Sequence, residues 1–214
     1  MIRGKFITFE GGDGVGKSTQ IRRLAERLKT RGVDSALTRE PGGTAFAERV
    51  REFIMDGTLP AHGAMSEAFL FAAARFDHVE GVIRPTLASG QWVLSDRFAD
   101  STLAYQGAGG GGDADKLRQL ETLTHPGCVP DLTFVLDLDP VIGRTRIAQR
   151  GEADTQDPFE DRDLEFQMRL RAAFLAIAQA EPQRCEIIDA DRDEALIEAD
   201  IWQAVCDRFG LEPT

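Results

Sequence analysis

The sequence has 214 residues, 42% of them hydrophobic and 29% charged, which suits one soluble globular domain. Its formal net charge is -11, with 36 acidic and 25 basic residues, so the average field repels polyanions and argues against a nucleic-acid-binding surface. The N-terminal apolar run is too short for a signal peptide, and no stretch has the length of a membrane-spanning helix. We therefore predict a cytoplasmic protein that binds neither nucleic acid nor membrane.

Five short apolar runs predict the strands of a parallel sheet. Each has the length of a buried strand, and their nearly continuous apolar character suits a sheet that is covered on both faces. The runs are KFITFE (5–10), SALTRE (35–40), QWVLSD (91–96), DLTFVLDLD (131–139) and CEIIDA (185–190).

The stretches between these runs predict the helical crossovers that parallel strands need. Residues 17–32 carry an apolar stripe at helical spacing and end in Gly32. Further helices are predicted at about 64–89, 160–181 and 193–209. Together these elements predict a three-layer α/β fold with right-handed crossovers.

Four of the predicted strands end in residues that can carry chemistry. The segments are EGGDGVGKST, TREPGGT, SDRF and LDLDP. Because the carboxyl ends of parallel strands meet at one edge of the sheet, we expect a single site there.

The first strand leads into the pattern G-x-x-x-x-G-K-[ST], which is followed by an amphipathic helix. Its glycines let backbone N–H groups curl around phosphate oxygens, Lys17 can reach the terminal phosphates, and Ser18 can offer its hydroxyl to Mg²⁺. This context predicts a nucleoside triphosphate site. The predicted ATP-binding residues of the loop are Gly11, Gly12, Asp13, Gly14, Val15, Gly16, Lys17, Ser18 and Thr19.

The segment GAGGGG (107–112) also satisfies a glycine pattern, the G-x-G-x-x-G of dinucleotide-binding proteins. No strand immediately precedes it, so we favour a flexible loop over a dinucleotide site.

The third strand end favours phosphoryl transfer over hydrolysis. Arg97 follows Asp96, where a chemo-mechanical ATPase usually places a glutamate, and the guanine motif of a GTPase is absent. Asp96 and Ser18 are the candidate Mg²⁺ ligands, partly through water. Turn chemistry at a strand end suffices to explain Asp137 and Asp139.

Three cysteines, Cys128, Cys185 and Cys206, have neither C-x-x-C spacing nor a histidine cluster near them. They predict reduced thiols in or near the core, not disulfides or a zinc site. The scattered histidines are assigned no role.

Six segments occur in the order and approximate spacing of thymidylate kinases: FEGGDGVGKST, LTREPGGT, FLFAAAR, VLSDRFADSTLAYQG, PDLTFVLDLDP and GRTRIAQRG. They cover nearly the whole chain, which therefore resembles a thymidylate kinase. The resemblance implies transfer of a phosphoryl group from ATP to dTMP with Mg²⁺, giving dTDP and ADP, in a homodimer. It also implies one P-loop nucleoside monophosphate kinase domain over residues 1–214, strand order 2-3-1-4-5, and a short lid at about 143–160.

Two anionic phosphates must meet in such a site, so it needs fixed positive charge between them. Arg39 and Arg97 at strand ends could supply it, although either could instead be a solvated charge. Phe71 and Arg75 lie four residues apart on one helical face, and the resemblance implies that one stacks on thymine and the other donates to a base carbonyl. A phenylalanine at this spacing could also belong to the core.

The resemblance implies further acceptor contacts after the third strand. Thr102 matches a base-reading position, and Tyr105 would pack where a 2'-hydroxyl would lie. Ser101 could instead be a helix N-cap. The full set of predicted substrate-binding residues is Asp13, Arg39, Phe71, Arg75, Arg97, Ser101, Thr102, Tyr105 and Gln106.

The segment 141–160 predicts a helix that leads into a lid. By resemblance, a catalytic arginine lies either in the P-loop, the segment Gly11–Ser18, or in this lid. The P-loop has Gly14 after Asp13. The sequence therefore resembles the bacterial type, although each lid arginine could also belong to an exposed basic helix face. Arg144 is predicted to bind ATP, and the predicted catalytic residues are Lys17, Arg97, Arg146 and Arg150.

Two alternatives stay open at this point. One is another deoxynucleotide or nucleoside kinase, and the other is a nucleotide-sensing module that binds but does not transfer phosphate.

Overall fold

The computed structural model describes residues 3–56, 63–150 and 162–212, except for the side chain of Arg150. Five parallel strands form one sheet: β1 (Phe6–Glu10), β2 (Ser35–Arg39), β3 (Trp92–Asp96), β4 (Leu132–Asp137) and β5 (Cys185–Asp189). Their order is β2-β3-β1-β4-β5, which confirms the predicted order.

Helices connect these strands in the described part of the chain. They are α1 (Lys17–Thr30), α2 (Ala45–Met55), α3 (Ala64–His78), α4 (Arg84–Ala88), α5 (Ala99–Thr102), α6 (Ala114–Thr124), α7 (Pro140–Arg150), α8 (Leu164–Ala180) and α9 (Glu194–Phe209). Two wider π-helical turns, Val79–Ile83 and Leu103–Gly109, continue α3 and α5.

The central strands are buried because both faces of the sheet are covered. On one face, Ile7 and Phe9 pack in a cluster with Leu24 of α1 and Ile201 of α9. On the other face, a second cluster joins residues of α8 to Val135 of β4. Each buried side chain of this size contributes about 1.5–3 kcal/mol. The predicted three layers are confirmed.

The prediction of a flexible loop at 107–112 is wrong for its first part, because Gly107 and Gly109 lie buried in a helical turn. A Cβ atom at Gly109 would lie 2.8 Å from the ring of Phe166 on α8. A Cβ atom at Gly112 would lie 2.5 Å from the carbonyl oxygen of Gln106. These glycines thus permit close packing between the turn, its own backbone and α8.

The three cysteines are buried and free, as predicted. Burial raises the pKa of the Cys185 thiol to about 12, so it is not a reactive thiolate. Within the described ranges, no helix is long and apolar enough to cross a membrane.

Candidate active site

A cavity of about 620 Å³ opens where β1, β2 and β3 end. Lys17, Ser18 and Asp96 line it together with every residue that the sequence predicted to bind the acceptor: Asp13, Arg39, Phe71, Arg75, Arg97, Ser101, Thr102, Tyr105 and Gln106. Side chains from the P-loop, α3 and the segment after β3 therefore face one space. Its volume is in the range of small-molecule sites.

The P-loop takes the conformation that its glycines allow. Gly16, with a φ of 96°, lies in the left-handed region directly before α1, so the first N–H groups of that helix face the loop. The Lys17 ammonium donates to the carbonyl oxygens of Gly11 at 3.2 Å and Gly12 at 2.7 Å. Burial and the nearby Arg97 lower the pKa of Lys17, against the opposing effect of three carboxylates. The hydrogen bonds to Gly11 and Gly12 place the ammonium over the loop that would hold phosphates.

Ser18 and Asp96 form the candidate metal site. The Ser18 hydroxyl donates to Asp96 Oδ2 at 2.8 Å across the cavity floor. Both offer hard oxygen atoms, which fit Mg²⁺. In the described parts of the chain, no three His, Cys, Asp or Glu residues group together as an all-protein metal cage would need. Two protein oxygens completed by phosphates and water are the usual arrangement for Mg²⁺.

Arg97 has a φ of 69° and is the non-glycine residue with positive φ in the described part of the chain. Such a conformation costs of order 1–3 kcal/mol and persists when the surroundings impose it. Here the Arg97 N–H donates to the carbonyl oxygen of Phe9 at 2.9 Å, and its own carbonyl accepts from the Ser95 hydroxyl at 2.8 Å. The turn directs the guanidinium over the Tyr105 ring, 4.9 Å from its centre.

Asp13 holds two of the predicted acceptor-binding residues at the P-loop. Its carboxylate accepts from Arg97 Nη2 and, at 3.1 Å, from the Tyr105 hydroxyl. Burial would raise the pKa of Asp13, but the charges of Arg97 and Lys17 and the two hydrogen bonds lower it overall. The Asp13 carboxylate is therefore ionised at neutral pH and can carry this pairing.

Glu10, which was not predicted as a site residue from the sequence, is fully buried at the end of β1. Its carboxyl accepts from the Phe98 N–H at 2.7 Å and from the Ser101 hydroxyl at 2.6 Å. Burial, with the nearby Asp100, raises the pKa of Glu10 to about 8. The two hydrogen bonds to Glu10 fix the backbone that follows Arg97. The one signal in the sequence was a glutamate closing an otherwise apolar strand.

Arg75 lies in a buried charge cluster. Its Nε donates to Glu40 at 2.6 Å, its Nη1 to Glu121 at 2.7 Å and to Thr102 at 2.9 Å, and its Nη2 to the carbonyl oxygen of Phe98 at 3.0 Å. A guanidinium has five N–H groups. These contacts, all with described residues, engage four of them and leave one Nη2–H for the cavity that Arg75 lines.

Glu40 and Glu121 were not recognised from the sequence, because the contacts with Arg75 join three separate elements. Glu40 follows β2, and Glu121 lies on α6. Burial would raise the pKa of Glu121, but Arg75 lowers it overall. His78 has a structural role, since its ring nitrogens form hydrogen bonds with Glu40 at 2.9 Å and with the Thr38 hydroxyl at 2.7 Å.

Two arginines border the cavity on the β2 side. Arg39 is exposed and donates to Glu48 at 2.9 Å. Arg51 of α2 also lines the cavity and donates to the carbonyl oxygen of Pro41 at 3.3 Å. Arg51 was not predicted from the sequence, because no helix was predicted at α2.

The lid arginines lie elsewhere in the described structure. Arg144 lines a smaller cavity of about 30 Å³ beside Gly11 and Gly12, and it donates to the carbonyl oxygen of Arg162. Arg146 donates to the carbonyl oxygen of Ala190 at 3.0 Å. The structure does not bring either to the large cavity as lined by described residues. The Arg150 side chain and the rest of the predicted lid lie outside the described residues.

The P-loop and α7 approach each other through two glycines. A Cβ atom at Gly14 would lie 2.4 Å from the carbonyl oxygen of Gly143, and one at Gly143 would lie 2.8 Å from that of Asp13. The absence of side chains at both positions therefore permits this contact. Nearby, Asp139 accepts from the Val141 N–H at 2.8 Å, and Asp137 pairs with Arg171 at 2.6 Å. These contacts account for both carboxylates.

Comparisons with known proteins give one family. The family model described as thymidylate kinase matches residues 9–201. A thymidylate kinase of Magnetococcus marinus is 50% identical over 208 residues, which cover 97% of this chain and 98% of that protein. One of Caulobacter vibrioides is 51% identical over 211 residues, covering 99% and 100%. The crystal structure of thymidylate kinase from Ehrlichia chaffeensis matches with a TM-score of 0.78 and 34% identity, covering 95% and 99% of the two chains.

Proposed function

The chain belongs to the thymidylate kinase family and phosphorylates dTMP, and from this premise we propose that ATP with Mg²⁺ is the donor and that dTMP occupies the large cavity. The observation that carries the proposal is the meeting of the P-loop with all the predicted acceptor residues around one space. A cytoplasmic location stays a prediction. So does the division of the chain into one domain with a lid at about 143–160.

The acceptor phosphate is proposed to lie among Arg39, Arg51 and Arg97. All three line the cavity, and each carries a charge that neutralises part of the repulsion between the two phosphates. Arg97 suits the position nearest the donor, because its guanidinium also contacts the P-loop carbonyl of Gly11 at 3.0 Å. The pKa of Arg97 is raised overall against the effect of burial, with Tyr105 and Asp13 the main causes.

The thymine base is proposed to stack on Phe71, which is half-buried and lines the cavity. The remaining Nη2–H of Arg75 can donate to a base carbonyl, while Thr102 and Gln106 face the same space. Tyr105 is proposed to form the wall against the sugar. Ser101 also lines the cavity, but its hydroxyl is donated to Glu10.

In the proposed reaction, an oxygen of the acceptor phosphate attacks the terminal phosphoryl group of ATP, and ADP leaves. Lys17 and Arg97, which both donate to the carbonyl oxygen of Gly11, are proposed to hold the two phosphates in line. Ser18, and Asp96 partly through water, would hold Mg²⁺, which would further neutralise the phosphate charge when bound. Arg144 is proposed to contact ATP, and Arg146 and Arg150 to act from the lid.

A coupled ADP-release assay with dTMP, dUMP, dCMP, AMP and GMP tests this function. We expect dTMP to give the highest kcat/KM and Lys17→Ala to abolish transfer. Equal or greater turnover with a purine monophosphate would contradict the thymine pocket. ATP binding without any phosphorylated acceptor would instead indicate a nucleotide sensor.

A homodimer is proposed from an apolar surface on three neighbouring helices. Its residues are Phe46 and Phe53 of α2, Phe69 and Phe76 of α3, and Leu123 of α6. Their exposed fractions range from 42% to 72%. A spacing of seven residues places each phenylalanine pair on one face of its helix. Because α2 packs against α3 and α3 against α6, these exposed apolar side chains lie on adjacent helices, as is typical of a protein interface.

A further inference from the structure

Gln106 lines the large cavity, and its side chain donates a hydrogen bond to Glu67 of α3. The side-chain amide nitrogen of Gln106 lies 3.2 Å from Glu67 Oε2. The other oxygen of Glu67, Oε1, accepts from Arg162 Nη2 at 3.3 Å. Gln106 is 2% exposed, so the orientation of its amide is set by protein contacts and not by bulk solvent.

The chemistry of Glu67 determines which end of the Gln106 amide faces it. A carboxylate can only accept hydrogen bonds, whereas an amide has an NH₂ group at one end and a carbonyl oxygen at the other. Because Glu67 also accepts from Arg162, only the NH₂ end of Gln106 can face it favourably. The Gln106 carbonyl oxygen is left without a donor among the described residues, on a side chain that lines the cavity.

The pyrimidine bases differ at the atoms that such a carbonyl could contact. Thymine and uracil carry a hydrogen on N3 and a carbonyl oxygen at position 4. Cytosine has a bare N3 and an amino group at position 4. A fixed acceptor therefore pairs with N3 of thymine but opposes the lone pair of N3 in cytosine.

We propose that Glu67 is a positioning residue for base specificity: it holds the Gln106 carbonyl toward the cavity, where that oxygen accepts the N3–H of thymine and opposes cytosine. This inference rests on the proposed placement of the base against Gln106. It adds Glu67, a residue that does not line the cavity, to the residues that set the choice of acceptor. Its pairing with Arg162 also ties this choice to the segment that begins α8.

Glu67→Gln tests the inference, because a glutamine at 67 can donate as well as accept and so permits the Gln106 amide to turn over. We expect the ratio of kcat/KM for dTMP to that for dCMP to fall about 5- to 10-fold, the effect of one hydrogen bond. The ratio for dTMP to dUMP should stay within about twofold, since both bases carry N3–H. Both ratios are measured on one preparation, so any unfolded fraction cancels.

Four further variants complete the experiment. Gln106→Ala should lose the same discrimination between dTMP and dCMP. The double variant that combines Glu67→Gln with Gln106→Ala should lose no more of it than either single variant. Glu67→Asp keeps an acceptor-only carboxylate and should retain more of the ratio than Glu67→Gln. The matched control is Glu165→Gln on α8, which makes the same chemical change at an exposed pair with Arg169, and should leave both ratios unchanged.

An unchanged dTMP to dCMP ratio in Glu67→Gln or in Gln106→Ala would overturn the inference, as would an equal loss with all three pyrimidines. These outcomes are distinct from failure of the proposed function, in which the unsubstituted enzyme itself would not favour dTMP.

Discussion

The carboxylate of Asp13, in the P-loop, pairs with the guanidinium of Arg97, the residue that follows β3. The two side chains are mostly buried, with 14% and 17% exposed. Because Asp13 also accepts from Tyr105, one carboxylate joins the P-loop to two of the residues proposed to bind the acceptor. This pairing would hold the proposed donor and acceptor sites in a fixed relation before either substrate binds.

Asp13→Asn should lower both activity and stability, because it removes the charge that faces Arg97. We expect the free energy of unfolding to fall by about 1–3 kcal/mol and kcat/KM for dTMP by at least about tenfold. The pKa of Asp13 lies below its ordinary value of 3.8. Its stabilisation is therefore present above pH 3.8 and is lost as the pH falls through the folded-state pKa. Urea unfolding should show the two proteins converging in acid, and a constant difference would contradict this.

Glu10→Gln should change how stability depends on pH. The folded-state pKa of Glu10 is raised from 4.5 to about 8, so this group stabilises the fold fully below pH 4.5 and loses that contribution as the pH rises through 8. A glutamine does not titrate. We expect urea midpoints of the unsubstituted protein to fall relative to the variant between pH 5 and 9. Parallel curves would show that Glu10 does not hold its proton.

The catalytic activities of two Glu10 variants separate the effect of geometry from the effect of charge. A glutamine retains one oxygen for the Phe98 N–H, and its NH₂ group can donate to the Ser101 hydroxyl. Glu10→Gln should therefore keep most activity at neutral pH, whereas Glu10→Ala should lose at least about tenfold in kcat, since the turn at Arg97 loses its support. Equal activity of both variants would rule out this role.

Two substitutions at Tyr105 should have different effects. Phenylalanine keeps the ring beneath Arg97 but removes the hydroxyl that donates to Asp13, so we expect a loss of about 2- to 10-fold in kcat/KM. Alanine removes the ring as well and should relax discrimination against a ribonucleotide. The measurement is the kcat/KM ratio of dTMP to its 2'-hydroxy analogue. A ratio that is unchanged in Tyr105→Ala would place the sugar elsewhere.

The apolar surface gives a prediction about assembly. Replacing Phe69 and Phe76 of α3 by glutamate should shift sedimentation velocity from dimer to monomer, because charge would be buried without a partner. Leu164→Glu and Met168→Glu on α8 are the matched control, since these side chains are also exposed but lie on another helix. A monomer before any substitution would remove the basis for the dimer.

The strands could be predicted because each is a short apolar run, and their order because the chain resembles thymidylate kinases. Four of the strands end in residues that can carry chemistry, and the sheet brings those ends together. The placement of Arg75 and Tyr105 at the cavity could be predicted from local segments that resemble the family. Their supports could not. Glu121 contacts Arg75 across 46 positions and Glu10 contacts Phe98 across 88, and no local pattern marks such pairs.

The missed helix and the wrong loop have separate physical reasons. α2 has two phenylalanines that face solvent, so its apolar residues do not form a simple buried stripe. Phe46 and Phe53 are exposed, whereas Ile54 is buried. The turn Leu103–Gly109 contains glycines because α8 packs against it, and a glycine run taken alone indicates freedom. In both segments the structure depends on what lies beside the segment, which its own sequence does not show.

The contact between Gly14 and Gly143 has a consequence for redesign. An arginine transplanted into the P-loop at position 14 would meet the α7 backbone at its first carbon atom, before its charge could reach any substrate. A left-handed φ of 74° adds to that obstacle. Converting this enzyme to a form with its cation in the P-loop would thus require exchanging two distant segments as a unit.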